Sequence, residues 1–151
     1  MGYVFYQLNR KLQLASKMTF DEIKQDLDLF DDWEDRYGYI IDLGKNVELP
    51  EEKKIDHYKV EGCTSQVWLD MTWEKHDKGR LLHLKGDSDA MIVKGLIAIL
   101  LSLYNERFEE QARAINPDTE FKELGLDSHL SSQRSNGLKS MIERIKNFVN
   151  N

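Results

Sequence analysis

Val67-Trp68-Leu69-Asp70-Met71-Thr72-Trp73-Glu74-Lys75-His76-Asp77-Lys78-Gly79-Arg80-Leu81-Leu82-His83-Leu84-Lys85 is the stretch that decides the fold. Val67, Leu69, Met71 and Trp73 recur at every second position, the period of a half-buried strand. Asp77-Lys78-Gly79 supplies a turn, and residues 80–85 read as the returning strand. Upstream, His57-Tyr58-Lys59-Val60-Glu61 alternates as well. Links this short favour antiparallel neighbours, so the expectation is a small three-stranded antiparallel meander.

Helices surround it. Thr19-Phe20-Asp21-Glu22 has the form of a capping box, and Phe20, Ile23, Leu27 and Phe30 follow at helical spacing. A second helix over residues 33–43 is expected to end at a Gly44 cap. Pro50 and the charged residues 51–54 read as a loop. Residues 88–105 are apolar almost all round, which marks a central helix. Short helical pieces are expected over residues 108–114 and 121–124, separated by Asn116-Pro117. Leu138, Met141, Ile142, Ile145, Phe148 and Val149 make the stripe of a last helix. The fold class is therefore α+β, a small sheet packed with helices. Residues 1–18 read as a poorly ordered N-terminal appendage and residues 19–151 as the domain.

The chain has 151 residues, 40% of them hydrophobic, and a net charge of -6. That suits one globular domain and argues against nucleic acid as a partner, which calls for a basic face. The apolar run over residues 95–104 is too short to span a bilayer, so no membrane association is expected. One cysteine offers no disulfide framework, and a reducing cytoplasmic setting is the default.

That cysteine, Cys63, lies in Glu61-Gly62-Cys63-Thr64-Ser65-Gln66, a turn rather than an apolar run. Alone, it cannot supply the thiolates of a typical zinc or iron–sulfur site. A nucleophile, a sulfur carrier or an incidental thiol remain. In a meander the third strand ends on the same sheet edge as this turn, which brings Gly86-Asp87-Ser88-Asp89-Ala90 and a helix N-terminus close to Cys63. The helix end lowers a thiol pKa, whereas Asp87 and Asp89 raise it. Asp87 and Ser88 are also candidate helix caps. His57 is a possible base for a cysteine enzyme. Lys53, Lys54 and Lys59 read as a solvated face or a basic rim for an acidic partner. His76, His83 and His129 have no metal-ligand spacing. Arg134, in the first turn of the last helix, opposes the helix dipole and is expected to pair with Asp87 or Asp89, or to contact a partner.

Gly62-Cys63-Thr64-Ser65-Gln66-Val67-Trp68 resembles the signature of the SufE family, sulfur acceptors of cysteine desulfurases in iron–sulfur cluster assembly. Residues 37–44, 86–90, 92–96 and 129–138 match further family stretches in the same order. Ser132 stands where the family often has proline, and the residues before Met18 have no counterpart. The resemblance implies a fold shared with scaffolds of the IscU type. It implies that Cys63 takes a persulfide sulfur from a SufS-like desulfurase and passes it to a scaffold of the SufB type, stimulating the desulfurase. It implies no bound cofactor, since the pyridoxal phosphate belongs to the desulfurase. Asp87 and Arg134 are the expected supporting residues, with Gly62, Ser65 and Gln66 flanking the thiol, which is expected to tuck toward the protein. A module that activates the desulfurase without carrying sulfur, and a stand-alone cysteine enzyme, are the alternatives.

Overall fold

The computed structural model describes residues 18–151. The appendage expected over residues 1–18 lies outside the described residues except for Met18, which packs against the core. Helix α1 (Phe20–Asp28) starts at the expected capping box. The Glu22 N–H donates to Thr19 Oγ1 at 3.2 Å, and the Thr19 N–H donates to Glu22 Oε1 at 3.3 Å. These bonds satisfy two of the amide groups that a helix start leaves without partners.

Helix α2 (Trp33–Leu43) is capped by Asp32. Gly44 follows it but does not act as a left-handed cap. Its φ is -80°, and the chain continues as a 3-10 turn over Gly44–Asn46. Glycine is required there by proximity: a Cβ on Gly44 would lie 2.5 Å from the Gly95 nitrogen, and one on Gly95 would lie 2.2 Å from the Ile40 carbonyl oxygen. Helix α3 (Met91–Tyr104) carries Gly95, so two glycines let α2 and α3 pack backbone to backbone. A second 3-10 turn, Glu51–Lys53, lies within the expected loop.

Strands β1 (Val67–His76) and β2 (Gly79–Ser88) pair antiparallel from Val67↔Ser88 to His76↔Gly79. The expected third strand is not formed by residues 57–61: among the described residues the sheet has two strands. Residues 57–61 contribute one antiparallel bridge, Lys59↔Trp68. It is closed by Val60 N–H to Val67 O and Leu69 N–H to Tyr58 O, both 2.8 Å. The Tyr58 N–H is used instead in a turn, on the carbonyl of Ile55. Gly62, with φ of 86°, then bends the chain. An alternating pattern does not extend a ladder when its donors are already engaged.

Helices α4 (Glu109–Ala114), α5 (Pro117–Glu123) and α6 (Ser132–Asn150) complete the chain. Helix α5 starts before the expected residues 121–124, because Asn116 caps it and Pro117 occupies its first turn, where a fixed φ suits the helix. Leu96, Ile97, Ile99 and Leu100 of α3 are 0% exposed, each contributing about 1.5–3 kcal/mol by burial. Phe148 of α6 stacks on Trp73 of β1 with ring centroids 5.7 Å apart. No helix among the described residues is long and apolar enough to cross a membrane.

Candidate functional site

Gly62 turns the chain in a conformation that other residues rarely adopt. A Cβ there would also lie 2.6 Å from Ser140 Oγ of α6. The turn delivers Cys63 to the side of α6, where its half-buried thiol contacts the Gly137 carbonyl oxygen at 3.6 Å. The sulfur lies directly over Gly137: a Cβ there would sit 3.6 Å from Sγ, an ordinary packing contact. Cys63 borders a cavity of about 300 Å³. Its apolar wall comes from Val67, Ile92, Val93, Leu96, Leu138 and Met141, and its polar rim from Thr64, Ser65, Ser131, Gln133 and Arg134.

The proximity expected from the meander is present, carried by two strands. Gln66 N–H donates to Asp89 Oδ1 at 3.0 Å, Ser88 Oγ donates to the Gln66 carbonyl at 2.7 Å, and Asp89 N–H donates to it at 3.3 Å. The link from β2 to α3 therefore braces the C-terminal side of the Cys63 turn. Ser88 Oγ also accepts from the Ala90 N–H at 3.2 Å, but α3 starts at Met91 without a side-chain cap.

Asp87 takes a different position from the one expected. It pairs with Trp68 across the sheet, on the face opposite Val67, and is absent from the cavity wall. Its carboxylate accepts from Leu49 N–H at 3.0 Å and Ser88 N–H at 2.7 Å and pairs with Lys54 at 3.4 Å and Lys94 at 3.8 Å. Burial works to raise the Asp87 pKa, but those two N–H groups and Lys54 together hold it below the usual carboxylate value. Asp87 is thus a buried fastening between the 47–54 segment and the sheet. Arg134 does line the cavity, exposed at its rim. No ion pair joins it to Asp87 or Asp89 among the described residues; Asp89 holds Gln66 instead.

Burial, and then the Glu61 carboxylate, push the Cys63 thiol above its ordinary value. The first turns of α3 and α6 line the same cavity, and at neutral pH the raised value leaves the sulfur a protonated thiol. The His57 ring packs edge-on against Tyr58 and lies outside the cavity wall, which leaves the base role without geometric support. Lys53 is engaged by Asp70, and Lys54 by Glu51 and Asp87, so neither is a spare cation for a basic rim. His76 and His83 both meet Glu74, and His129 stacks on Trp33 at 3.9 Å. No group of three potential metal ligands converges among the described residues.

Sequence reasoning placed Arg134 of α6 at the site but missed the residues behind it. Leu138 and Met141 read only as part of an apolar stripe, and Gly137 only as part of the matched 129–138 stretch. The available signal was the glycine itself, which costs helix stability and usually marks a close approach.

A model of the SufE family, described as an Fe-S metabolism associated domain, matches residues 21–149. An uncharacterized SufE-like protein of Rhizobium meliloti is 46% identical over 129 residues, covering 85% of this chain and 92% of that protein. A second, from Rhizobium etli, is also 46% identical over 129 residues, covering 85% of this chain and 87% of its own length. The solution structure of a hypothetical protein from Thermus thermophilus superposes with a TM-score of 0.63 at 20% identity, covering 88% of this chain and 96% of that one; this likeness concerns the fold alone. A family model spanning most of the domain, together with relatives of this identity, establishes that the chain belongs to the SufE family, whose domain is associated with iron–sulfur metabolism.

Proposed function

We propose that this chain is a sulfur acceptor: Cys63 takes the terminal sulfur of a cysteine desulfurase persulfide and passes it to an iron–sulfur cluster scaffold. The observation that carries the reading is the thiol itself. It is the chain's single cysteine, set on a turn, half-buried against Gly137 at the edge of an apolar cavity. A carrier needs a nucleophile that a partner can reach and a place to shelter its product, and this arrangement suits both needs.

The Cys63 thiolate attacks the outer sulfur of the desulfurase persulfide. A new sulfur–sulfur bond forms on Cys63 as the desulfurase's own breaks, and the desulfurase cysteine leaves as a thiolate and takes up a proton. The sulfur keeps its oxidation state, so no outside oxidant or reductant enters. Passing the sulfur to a scaffold thiol repeats the exchange. In the resting chain the raised thiol pKa keeps Cys63 protonated, and thiols react with oxidants mainly as thiolates. Docking that moves the sulfur away from Glu61 removes one of the two causes of the raised value. Arg134 and Gln133 stand at the rim such a partner meets. Pyridoxal phosphate remains with the SufS-like desulfurase, this chain binds no cofactor of its own, the scaffold is of the SufB type, and the setting is the cytoplasm.

The test compares the chain with Cys63→Ser in stimulating a cognate desulfurase. An acceptor relieves the desulfurase of product, so cysteine turnover rises with the wild-type chain and stays basal with the mutant. Equal stimulation by both identifies an activating module instead. Turnover by the chain without a desulfurase identifies a stand-alone enzyme.

A further inference from the structure

Residues 57–65 run antiparallel along one face of α6 and touch it at successive turns. At the far end, Arg144 donates from Nη1 to the Lys59 carbonyl and from Nη2 to the His57 carbonyl, both at 3.0 Å. Next, Ser140 backs Gly62 so closely that a Cβ would lie 2.6 Å from its Oγ. Gly137 then meets the Cys63 sulfur at 3.6 Å. Beyond it, Gln133 and Arg134 share the cavity wall with Thr64 and Ser65. The two ends of this contact differ in kind. A guanidinium fork on two carbonyls is directional and charge-assisted, whereas a thiol is a weak donor.

We propose that Arg144 is a positioning residue for Cys63. It clamps the carbonyls of His57 and Lys59 onto α6, which sets the base of the turn so that the sulfur falls over Gly137. It acts through the backbone and touches no reacting atom. The single bridge at Lys59↔Trp68 ties that base to β1 by two backbone hydrogen bonds, and Arg144 adds two more that tie it to α6. Loosening the clamp leaves the fold in place and lets the thiol leave its seat.

The test uses the full chain with three substitutions. Arg144→Met keeps the stem and removes every donor. Arg144→Lys keeps the charge but loses the fork. Ile23→Val, in the core far from the turn, is a control for general destabilisation. Alkylation of Cys63 by iodoacetamide under native conditions is expected to be about tenfold faster in Arg144→Met, the factor that a hydrogen bond to a charged group carries in an equilibrium. Arg144→Lys is expected to fall between Arg144→Met and wild type, and Ile23→Val at the wild-type rate. A wild-type rate in both Arg144 variants overturns the proposal, as does an equal acceleration in Ile23→Val. Should Arg144→Met fail to fold, Arg144→Lys decides alone by the same criterion.

A second arm rests on the sulfur-acceptor reading. With a desulfurase partner, Arg144→Lys is expected to lower kcat for sulfur transfer and leave KM for the partner unchanged, since orientation of the thiol changes and docking does not. A raised KM with unchanged kcat overturns the positioning role in favour of a docking contact. Should the wild-type chain accept no sulfur, the acceptor reading fails, while the alkylation arm still decides the role of Arg144.

Discussion

Cys63 is shaped by what lies against it. The Gly137 carbonyl at 3.6 Å and the apolar cavity remove it from water, and Glu61 opposes its ionisation. An exposed thiol is half ionised at its ordinary value of 9.0, so the midpoint of the pH profile for alkylation of Cys63 is expected to lie above that value. A profile that levels at the same pH as a free cysteine peptide would contradict the seat described here. The linkage has the matching sign. The unfolded chain loses the thiol proton first, so the contribution of the protonated thiol to stability is whole below the ordinary value and is lost as pH rises through the raised one. Gly137→Ala tests the space beside the sulfur. The added methyl sits 3.6 Å from Sγ, an ordinary contact, and alanine is a better helix former. Thermal denaturation should show a gain of about 1 kcal/mol, with slower alkylation because the sulfur is more covered.

Among the elements, two fastenings hold neighbouring segments together. The first is Asp87, which ties the end of β2 to the 47–54 segment through Leu49 and Lys54 and to α3 through Lys94. Asp87→Asn supplies one acceptor oxygen where two N–H groups need one each. It should cost about 1–3 kcal/mol in chemical denaturation. Because the Asp87 pKa is depressed, the stability it confers is present above the ordinary value of 3.8 and is lost as pH falls through the lowered one. The difference between the wild-type chain and Asp87→Asn should therefore shrink in acid. The second fastening is the close contact of α2 and α3. Gly95→Ala places a methyl 2.2 Å from the Ile40 oxygen, which α3 can relieve only by moving off α2. A loss of about 3 kcal/mol is expected in the same denaturation experiment.

Over the whole molecule, the hairpin and the central helix were legible because their apolar periods are unbroken. The closeness of Cys63 to the β2–α3 link followed from antiparallel order alone. What stayed hidden depended on parity and on tertiary contact. The register that pairs Asp87 with Trp68 and Ser88 with Val67 puts Asp87 on the face away from the cavity, and a shift of one residue would reverse that. The failed third strand turned on the Tyr58 N–H, engaged by a local turn that alternation does not reveal. Gly44 carries the same mark as a cap and as a packing glycine. The reach of Arg144 across to His57 and Lys59 links positions whose spacing in the chain carries no pattern. The central claim is that sulfur comes to rest on Cys63. Its most direct measurement is the intact mass of the chain after incubation with a trace of desulfurase and cysteine. One added sulfur, located on Cys63, removed by a thiol reductant and missing from Cys63→Ser, is the expected result. An unchanged mass, or the same gain in Cys63→Ser, would contradict it.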